Sequence, residues 1–343
     1  MSVVGARPQF IKAAPVSRVL RRTHEEVLVH TGQHYDDNMS AVFFRELEIP
    51  EPDFNLGIGS GPHGAQTGGM MAAIEKVALD VNPDWVLVYG DTNSTVAGAL
   101  VAAKLHIKVA HVEAGLRSFD RRMPEEINRV LTDHVSDLLL CPTAVAIRNL
   151  AREGIDHGVH LVGDVMYDAF LFNLEAARKR DGVVKKLGLT PGAFALATIH
   201  RAGNADDPAR LAAILEGIDR SGMDVILPLH PRTRARLNEV PPARIRVVEP
   251  VGYLDMLALE DAAAVIVTDS GGVQKEAYFL GKPCVTLRDR TEWTETVEAG
   301  WNTVVGSDAG RIAEAIRSFR PKGKRPDLYG DGHAAEKIAE LLI

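Results

Sequence analysis

Short apolar runs recur along this chain with room for one helix between neighbours, and that alternation constrains the fold more than any other feature. The runs are residues 27–30, 85–89, 109–112, 138–141, 160–162, 194–199, 225–229, 245–248, 265–267, 284–287 and 302–305. Stretches with helical period, such as 211–220 and 311–319, lie between them. Uninterrupted apolar strands alternating with amphipathic helices are the signature of βαβ units, in which helices cover both faces of a parallel sheet. Eleven runs, with residues 1–4 left for a first strand, are too many for one doubly wound sheet. The 343 residues are therefore expected to form two α/β domains. The seam is expected near residues 163–181, where a long helix-like segment ends in the polar stretch RKRDG.

Bulk composition excludes several function classes. Hydrophobic residues make up 46% and charged residues 25% of the chain, and the net charge is −7. Nothing here resembles a basic nucleic-acid footprint, so an anionic ligand must be held by a local cluster. Cys141 and Cys284 lie in the apolar runs DLLLCPT and KPCVTL and read as buried strand residues, not as a disulfide or metal pair. No signal segment opens the chain and no window approaches eighteen uninterrupted apolar residues, so the expectation is a soluble, cytoplasmic protein with no membrane partner. There is no HExxH, no CxxC and no nucleophile elbow, so no metal site is expected.

In open α/β sheets, ligands collect at the carboxyl ends of strands. In this sequence nearly every strand end carries Asp, Glu, His or Arg beside a glycine or small residue: Arg7 after the first strand, then Gln33, Asp91, Glu113, His200, His230 and Ser270. One polar strand end is a capped turn; seven across two domains look like a shared site. Asp91 follows WVLVYG and is either a helix cap or a carboxylate held at a rigid strand end. Glu113 ends VAHVEAG, and Arg117, four residues on, is its obvious ion-pair partner. Glu125 and Glu126 follow Pro124 in plain helix-start chemistry. Glu125 and Arg129 are four apart, so they form either a surface ion pair or a further carboxylate and cation of the site. His200-Arg201 with Gly203-Asn204 makes an anion-facing loop. Arg7 suits bidentate phosphate contacts, while Lys12 serves the same anion or is solvated.

TDSGGVQKEA, residues 268–277, is neither a dinucleotide fingerprint nor an ATPase phosphate loop. A Gly-Gly turn opening a helix nevertheless leaves free backbone N–H groups at the positive end of a helix dipole, with Ser270 as the expected cap.

GARPQFIKAAP, TGQHYD, VYGDTNST, HVEAGLRS, MPEEINR, IHRAGN and TDSGGVQKEA occur in this order. Together they resemble the non-hydrolysing UDP-N-acetylglucosamine 2-epimerase family, from Gly5 to the C-terminal helix. The resemblance implies two Rossmann-like doubly wound domains in a GT-B arrangement with an interdomain cleft. Residues 1–165 would carry the catalytic carboxylates and residues 166–331 would bind UDP, with helix 332–343 packing back on the first domain. It implies a homodimer and a reaction without redox cofactor: anti elimination of UDP to a glycal, then re-addition after protonation on the other face. By resemblance, Asp91, Glu113 and Glu125 are the catalytic carboxylates, with Arg129 and His200 assisting. Ser270, Gly271 and Gly272 would meet the diphosphate, Glu276 the ribose hydroxyls and Met256 the uracil. Arg7 and Lys12 match the family's phosphate-side cations.

Two departures bear on substrate. Members typically read RDTTERPE after the SGG helix; here Trp293 replaces an arginine and the proline is lost, so a UDP-diacetamido-uronic acid is an alternative substrate to UDP-GlcNAc. In TGQHYD, Gln33 is retained but Asp36 replaces a longer partner, so activation by a second UDP-GlcNAc is not expected. A hydrolysing variant, a GT-B glycosyltransferase and a non-catalytic nucleotide-sugar sensor compete with the epimerase reading. Three carboxylates at successive strand and helix ends favour the epimerase over the last two.

Overall fold

The computed structural model describes residues 1–32, 50–179, 182–229, 231–234 and 242–342. Gln33, Asp36 and His230 lie outside them, as do the side chains of Arg7 and Arg232. Among the described residues, thirteen strands form two parallel sheets. The first sheet holds β1 (Ser2–Val4), β2 (Leu28–His30), β3 (Phe54–Asn55), β4 (Trp85–Tyr89), β5 (Lys108–Val112), β6 (Leu138–Cys141) and β7 (Val159–Leu161), in the order β3-β2-β1-β4-β5-β6-β7. The second holds β8 (Phe194–Thr198), β9 (Asp224–Pro228), β10 (Ile245–Val248), β11 (Val265–Thr268), β12 (Cys284–Thr286) and β13 (Asn302–Val304), in the order β10-β9-β8-β11-β12-β13. Two Rossmann-like α/β sheets are what the apolar alternation predicts. The unexpected strand, β3, has both residues exposed, so no apolar run announces it.

Contacts divide the chain into one unit of Met1–Leu171 with Asp327–Ile343, and a second of Phe172–Pro326. The division falls inside the helix Val165–Arg178, and the terminal helix Ala334–Leu341 lies against the helix Arg7–Leu20 of unit one. Each sheet is sandwiched by its helices. In unit one, Val3, Val86, Val88 and Val109 meet Met70, Ile74 and the small side chains of the helix Asn93–Lys104. In unit two, Ala195, Ala197, Val265 and Val267 meet Leu211, Ile214, Ile312 and Ile316. Cys141 and Cys284 are buried free thiols in two further apolar clusters, one in each unit, as expected, and burial pushes both up to about 12. No helix among the described residues is long and apolar enough to cross a membrane.

The strand orders reverse between β1 and β4 in unit one and between β8 and β11 in unit two. At such points loops leave on opposite faces and open a crevice beyond the strand ends. Gly5 closes β1 at the first of them. A Cβ there would fall 2.1 Å from the hydroxyls of both Thr31 and Ser94, so only glycine lets the strands approach this closely.

Candidate active site

Unit one presents its polar residues at the β1/β4 switch point. Ala6, which cannot accept a hydrogen bond through its side chain, precedes the helix Arg7–Leu20. Gln9 reaches back instead, its Oε1 accepting from the N–H groups of Gly5 (2.8 Å) and Ala6 (3.0 Å), while its Nε2 donates to the Tyr89 carbonyl (2.8 Å). One side chain thus ties the end of β1 to the end of β4. Arg7 is the first residue of that helix. Lys12, one turn further on, forms an ion pair with Glu113, which follows β5. Burial works against the lysine's charge, but Glu113, and then Asp91, outweigh it and raise the Lys12 pKa above its ordinary value.

Asp91 does not cap the helix that follows it. Thr92 does, accepting from Thr95 N–H, which frees the Asp91 carboxylate. That carboxylate accepts from Arg129 Nε at 2.9 Å, and Asn128 Nδ2 donates to the Asp91 carbonyl, also at 2.9 Å. Arg129 therefore pairs with Asp91 and, through Nη1 at 2.7 Å, with Glu126. The pairing with Glu125 that four-residue spacing suggests does not form: Glu125 is exposed, and its neighbour Glu126 is buried. Glu126 accepts from the N–H groups of Ser118 and Phe119, both at 2.9 Å. Burial opposes its ionisation, but these amides, the Ser118 hydroxyl and Arg129 hold it below the usual glutamate range.

The expected Glu113–Arg117 pair is likewise replaced. Glu113 has φ +73°, a left-handed backbone that costs a non-glycine residue about 1–3 kcal/mol. It pairs with Lys12. Arg117 pairs instead with Asp133 and Glu153, each at 2.7 Å. The result in unit one is two carboxylate–cation pairs, Glu113–Lys12 and Asp91–Arg129, at the ends of adjacent strands. Gly90 lies beneath the first pair: a Cβ on it would meet Lys12 Nζ at 3.0 Å and Glu113 Oε2 at 3.4 Å.

In unit two the two motifs at the β8/β11 switch point are joined by a residue that sequence reasoning passed over. Asp269 is fully buried and accepts from the N–H groups of His200 (3.1 Å) and Arg201 (3.1 Å) and from Asn204 Nδ2 (3.1 Å). His200 Nδ1 lies 3.4 Å from the same carboxylate. An aspartate immediately after the apolar strand β11 was the available signal, since a buried carboxylate must be satisfied. Ser270 caps the helix Gly271–Phe279, accepting from Val273 N–H as expected. A Cβ on Gly272 would meet nothing closer than 3.9 Å, so the space beside its Cα is open. At Gly271 a Cβ would come within 2.6 Å of Glu292 Oε1, and Glu292 in turn pairs with Arg288 at 2.7 Å. Glu276, in the helix's second turn, accepts from the Tyr253 hydroxyl at 3.0 Å. Burial pushes both Glu276 and the wholly enclosed Glu260 up, Glu260 further because it also faces Glu276. Met256 packs against the apolar cluster beneath them. Trp293 is in cation–π contact with Lys275, 4.6 Å from its ring centre. Among the described residues, no group of three His, Cys, Asp or Glu is arranged to hold a metal.

A family model described as UDP-N-acetylglucosamine 2-epimerase matches residues 18–343. A UDP-N-acetylglucosamine 2-epimerase homolog from Methanococcus maripaludis is 53% identical, the match spanning 100% of this chain and 98% of the relative. The UDP-2,3-diacetamido-2,3-dideoxy-D-glucuronate 2-epimerase of Pseudomonas aeruginosa is 51% identical over the same shares. A solved structure of Methanocaldococcus jannaschii UDP-GlcNAc 2-epimerase, in complex with UDP-GlcNAc and UDP, is 47% identical, with TM-score 0.81, covering 99% of this chain and 98% of that one.

Proposed function

The chain belongs to the UDP-N-acetylglucosamine 2-epimerase family, a family of isomerases, and from that premise we propose that it interconverts UDP-GlcNAc and UDP-ManNAc by elimination and re-addition of UDP. The observation that carries the reading is the pair of carboxylate–cation couples, Glu113–Lys12 and Asp91–Arg129, at the switch point of unit one. Inverting C2 requires one group to take the C2 proton and another to return a proton on the opposite face. In the first step the C2–H and C1–O bonds break, the C1=C2 bond of a glycal forms, and UDP leaves with the C1–O electron pair. In the second, a UDP oxygen re-forms the C1–O bond while C2 is protonated from the other side. Asp91, Glu113 and Glu125 supply the carboxylates and Arg129 steadies Asp91. Positioned acids and bases of this kind contribute roughly 10²–10⁴-fold each.

Unit two supplies the nucleotide contacts in this reading. Ser270 and the amides of Gly271 and Gly272 at the start of a capped helix favour the diphosphate, Glu276 accepts from ribose hydroxyls, and Met256 flanks the uracil. His200, pinned by Asp269, assists beside the phosphates, with Arg7 and Lys12 as cations. The proposal extends to a cytoplasmic homodimer supplying precursors of surface polysaccharide. A second substrate, a UDP-diacetamido-glucuronic acid, is favoured by the 51% identity to an enzyme named for that sugar and by Trp293 standing where an arginine is usual.

Incubation of the purified protein in D₂O with each sugar in turn, followed by NMR, separates these readings. UDP-ManNAc carrying deuterium at C2 is the expected product from UDP-GlcNAc. Exchange confined to the diacetamido sugar would transfer the assignment to it, and free ManNAc with UDP would indicate hydrolysis. Exchange in neither would overturn the epimerase reading.

A further inference from the structure

His111 lies on β5, two residues before Glu113, and is fully buried. Its Nε2 is 2.8 Å from the Gly90 carbonyl oxygen and its Nδ1 is 2.7 Å from Asp133 Oδ1. We propose that His111 is a positioning residue, protonated on both ring nitrogens, that fixes Asp91 relative to Glu113 by bridging the Gly90 carbonyl and Asp133. The proposal rests on the epimerase reading above.

A carbonyl oxygen only accepts, so Nε2 carries a proton. Asp133 is ionised, because its other oxygen accepts from Gly115 N–H (3.1 Å) and from the permanently charged Arg117 (2.7 Å). Nδ1 must then also donate. Burial opposes charge on Asp133, but His111 and then Arg117 outweigh it and hold its pKa below the ordinary value. Arg117 is completed by Glu153, giving two cations and two carboxylates in one connected chain. Beside this chain of charges His134 Nδ1 lies 4.0 Å from Glu153, and Cys141 is kept a neutral thiol by burial and by the charge of Asp133.

The bridge lands on the backbone that aims the two site carboxylates. Gly90 has φ +64°, a turn that swings the chain off β4 immediately before Asp91. Its N–H donates to the Val112 carbonyl at 3.0 Å and its carbonyl accepts from His111. Both polar groups of Gly90 are therefore tied to β5, whose last residue, Val112, precedes Glu113. On the other side Asp133 receives Gly115 N–H, closing the left-handed Glu113–Gly115 turn. Loss of the ring's two donors would free the Gly90–Asp91 peptide and loosen the strained Glu113 turn together. Displacing a reacting group by about 1 Å costs on the order of a hundredfold in rate.

The test compares wild type, His111→Phe and His111→Gln, with the UDP-sugar that the wild type turns over. His111→Phe is expected to lower kcat about a hundredfold while KM and UDP affinity stay within about threefold, since the proposed nucleotide contacts other than Arg7 and Lys12 lie in unit two. His111→Gln, which keeps an amide donor for Gly90, should recover about tenfold of that loss. In the wild type, ¹⁵N NMR should show both His111 ring nitrogens protonated. An unprotonated ring nitrogen would overturn the proposal. So would a folded His111→Phe variant with kcat close to wild type. Parallel loss of thermal midpoint, kcat, KM and UDP affinity, without rescue by glutamine, would reduce His111 to a core residue. A wild type that exchanges neither sugar would sink the epimerase reading and this proposal with it; an active wild type with an indifferent His111→Phe would sink this proposal alone.

Discussion

Glu113→Gln and Asp91→Asn each lower the rate of C2 epimerisation by about a thousandfold, in the middle of the range for a positioned general acid or base. Both substitutions preserve shape. Glutamine at 113 adopts the left-handed backbone at the same cost as glutamate, and asparagine at 91 still offers an oxygen that accepts from Arg129. What each removes is a proton acceptor and a negative charge. Glu113 is also the leading opposing charge on Lys12, so Glu113→Gln brings the lysine's pKa down from its raised value. UDP affinity by calorimetry should change little for Asp91→Asn, whose neighbours are Arg129 and Asn128. Steady-state rates in both directions, with deuterium wash-in at C2, check the result. A variant that keeps its rate within about tenfold of wild type is no acid or base in this reaction.

How the sequence announces these residues, and where it falls silent, follows from the range of the forces involved. β4, β8 and β11 are legible because parallel strands are buried on both faces and read as unbroken apolar runs. Asp91, Glu113 and Ser270 are legible because they end such runs. Their partners are not. Helical arithmetic pairs Glu113 with Arg117 and Glu125 with Arg129, yet the left-handed turn at Glu113 sends the chain elsewhere and Arg129 reaches back 38 residues to Asp91. Spacing rules describe neighbours on a helix surface, while these contacts are set by which strands lie side by side. Asp269 shows the same limit: its acceptors serve amides 68 and 69 residues away, because β8 and β11 are adjacent in the sheet. Glu126 was hidden differently, by its neighbour, since either of two consecutive acids in a first helical turn satisfies the same local rule.

Asp133→Ala should destabilise unit one by about 3–5 kcal/mol, the cost of breaking a buried ion pair from one side. The carboxylate is essentially inaccessible and serves His111, Gly115 N–H and Arg117 at once. Its removal strands the imidazolium and leaves Arg117 with Glu153 and the Leu116 carbonyl. The effect carries a pH signature whose sign is fixed. Asp133 is depressed in the folded state, so it contributes stability that is fully present above the unfolded aspartate value, about 3.9. That stability is lost as pH falls through the lower folded value. The gap between wild type and Asp133→Ala should therefore close on acidification below about pH 4. Trp85, at the start of β4, reports on unit one alone in a Trp293→Phe/Trp301→Phe background, because the other two tryptophans of the chain lie in unit two. Urea midpoints from its fluorescence across this pH range supply the measurement. A gap that persists unchanged into acid would mean that Asp133 is not the charged anchor of this network, and that Arg117 and Glu153 hold the loop without it.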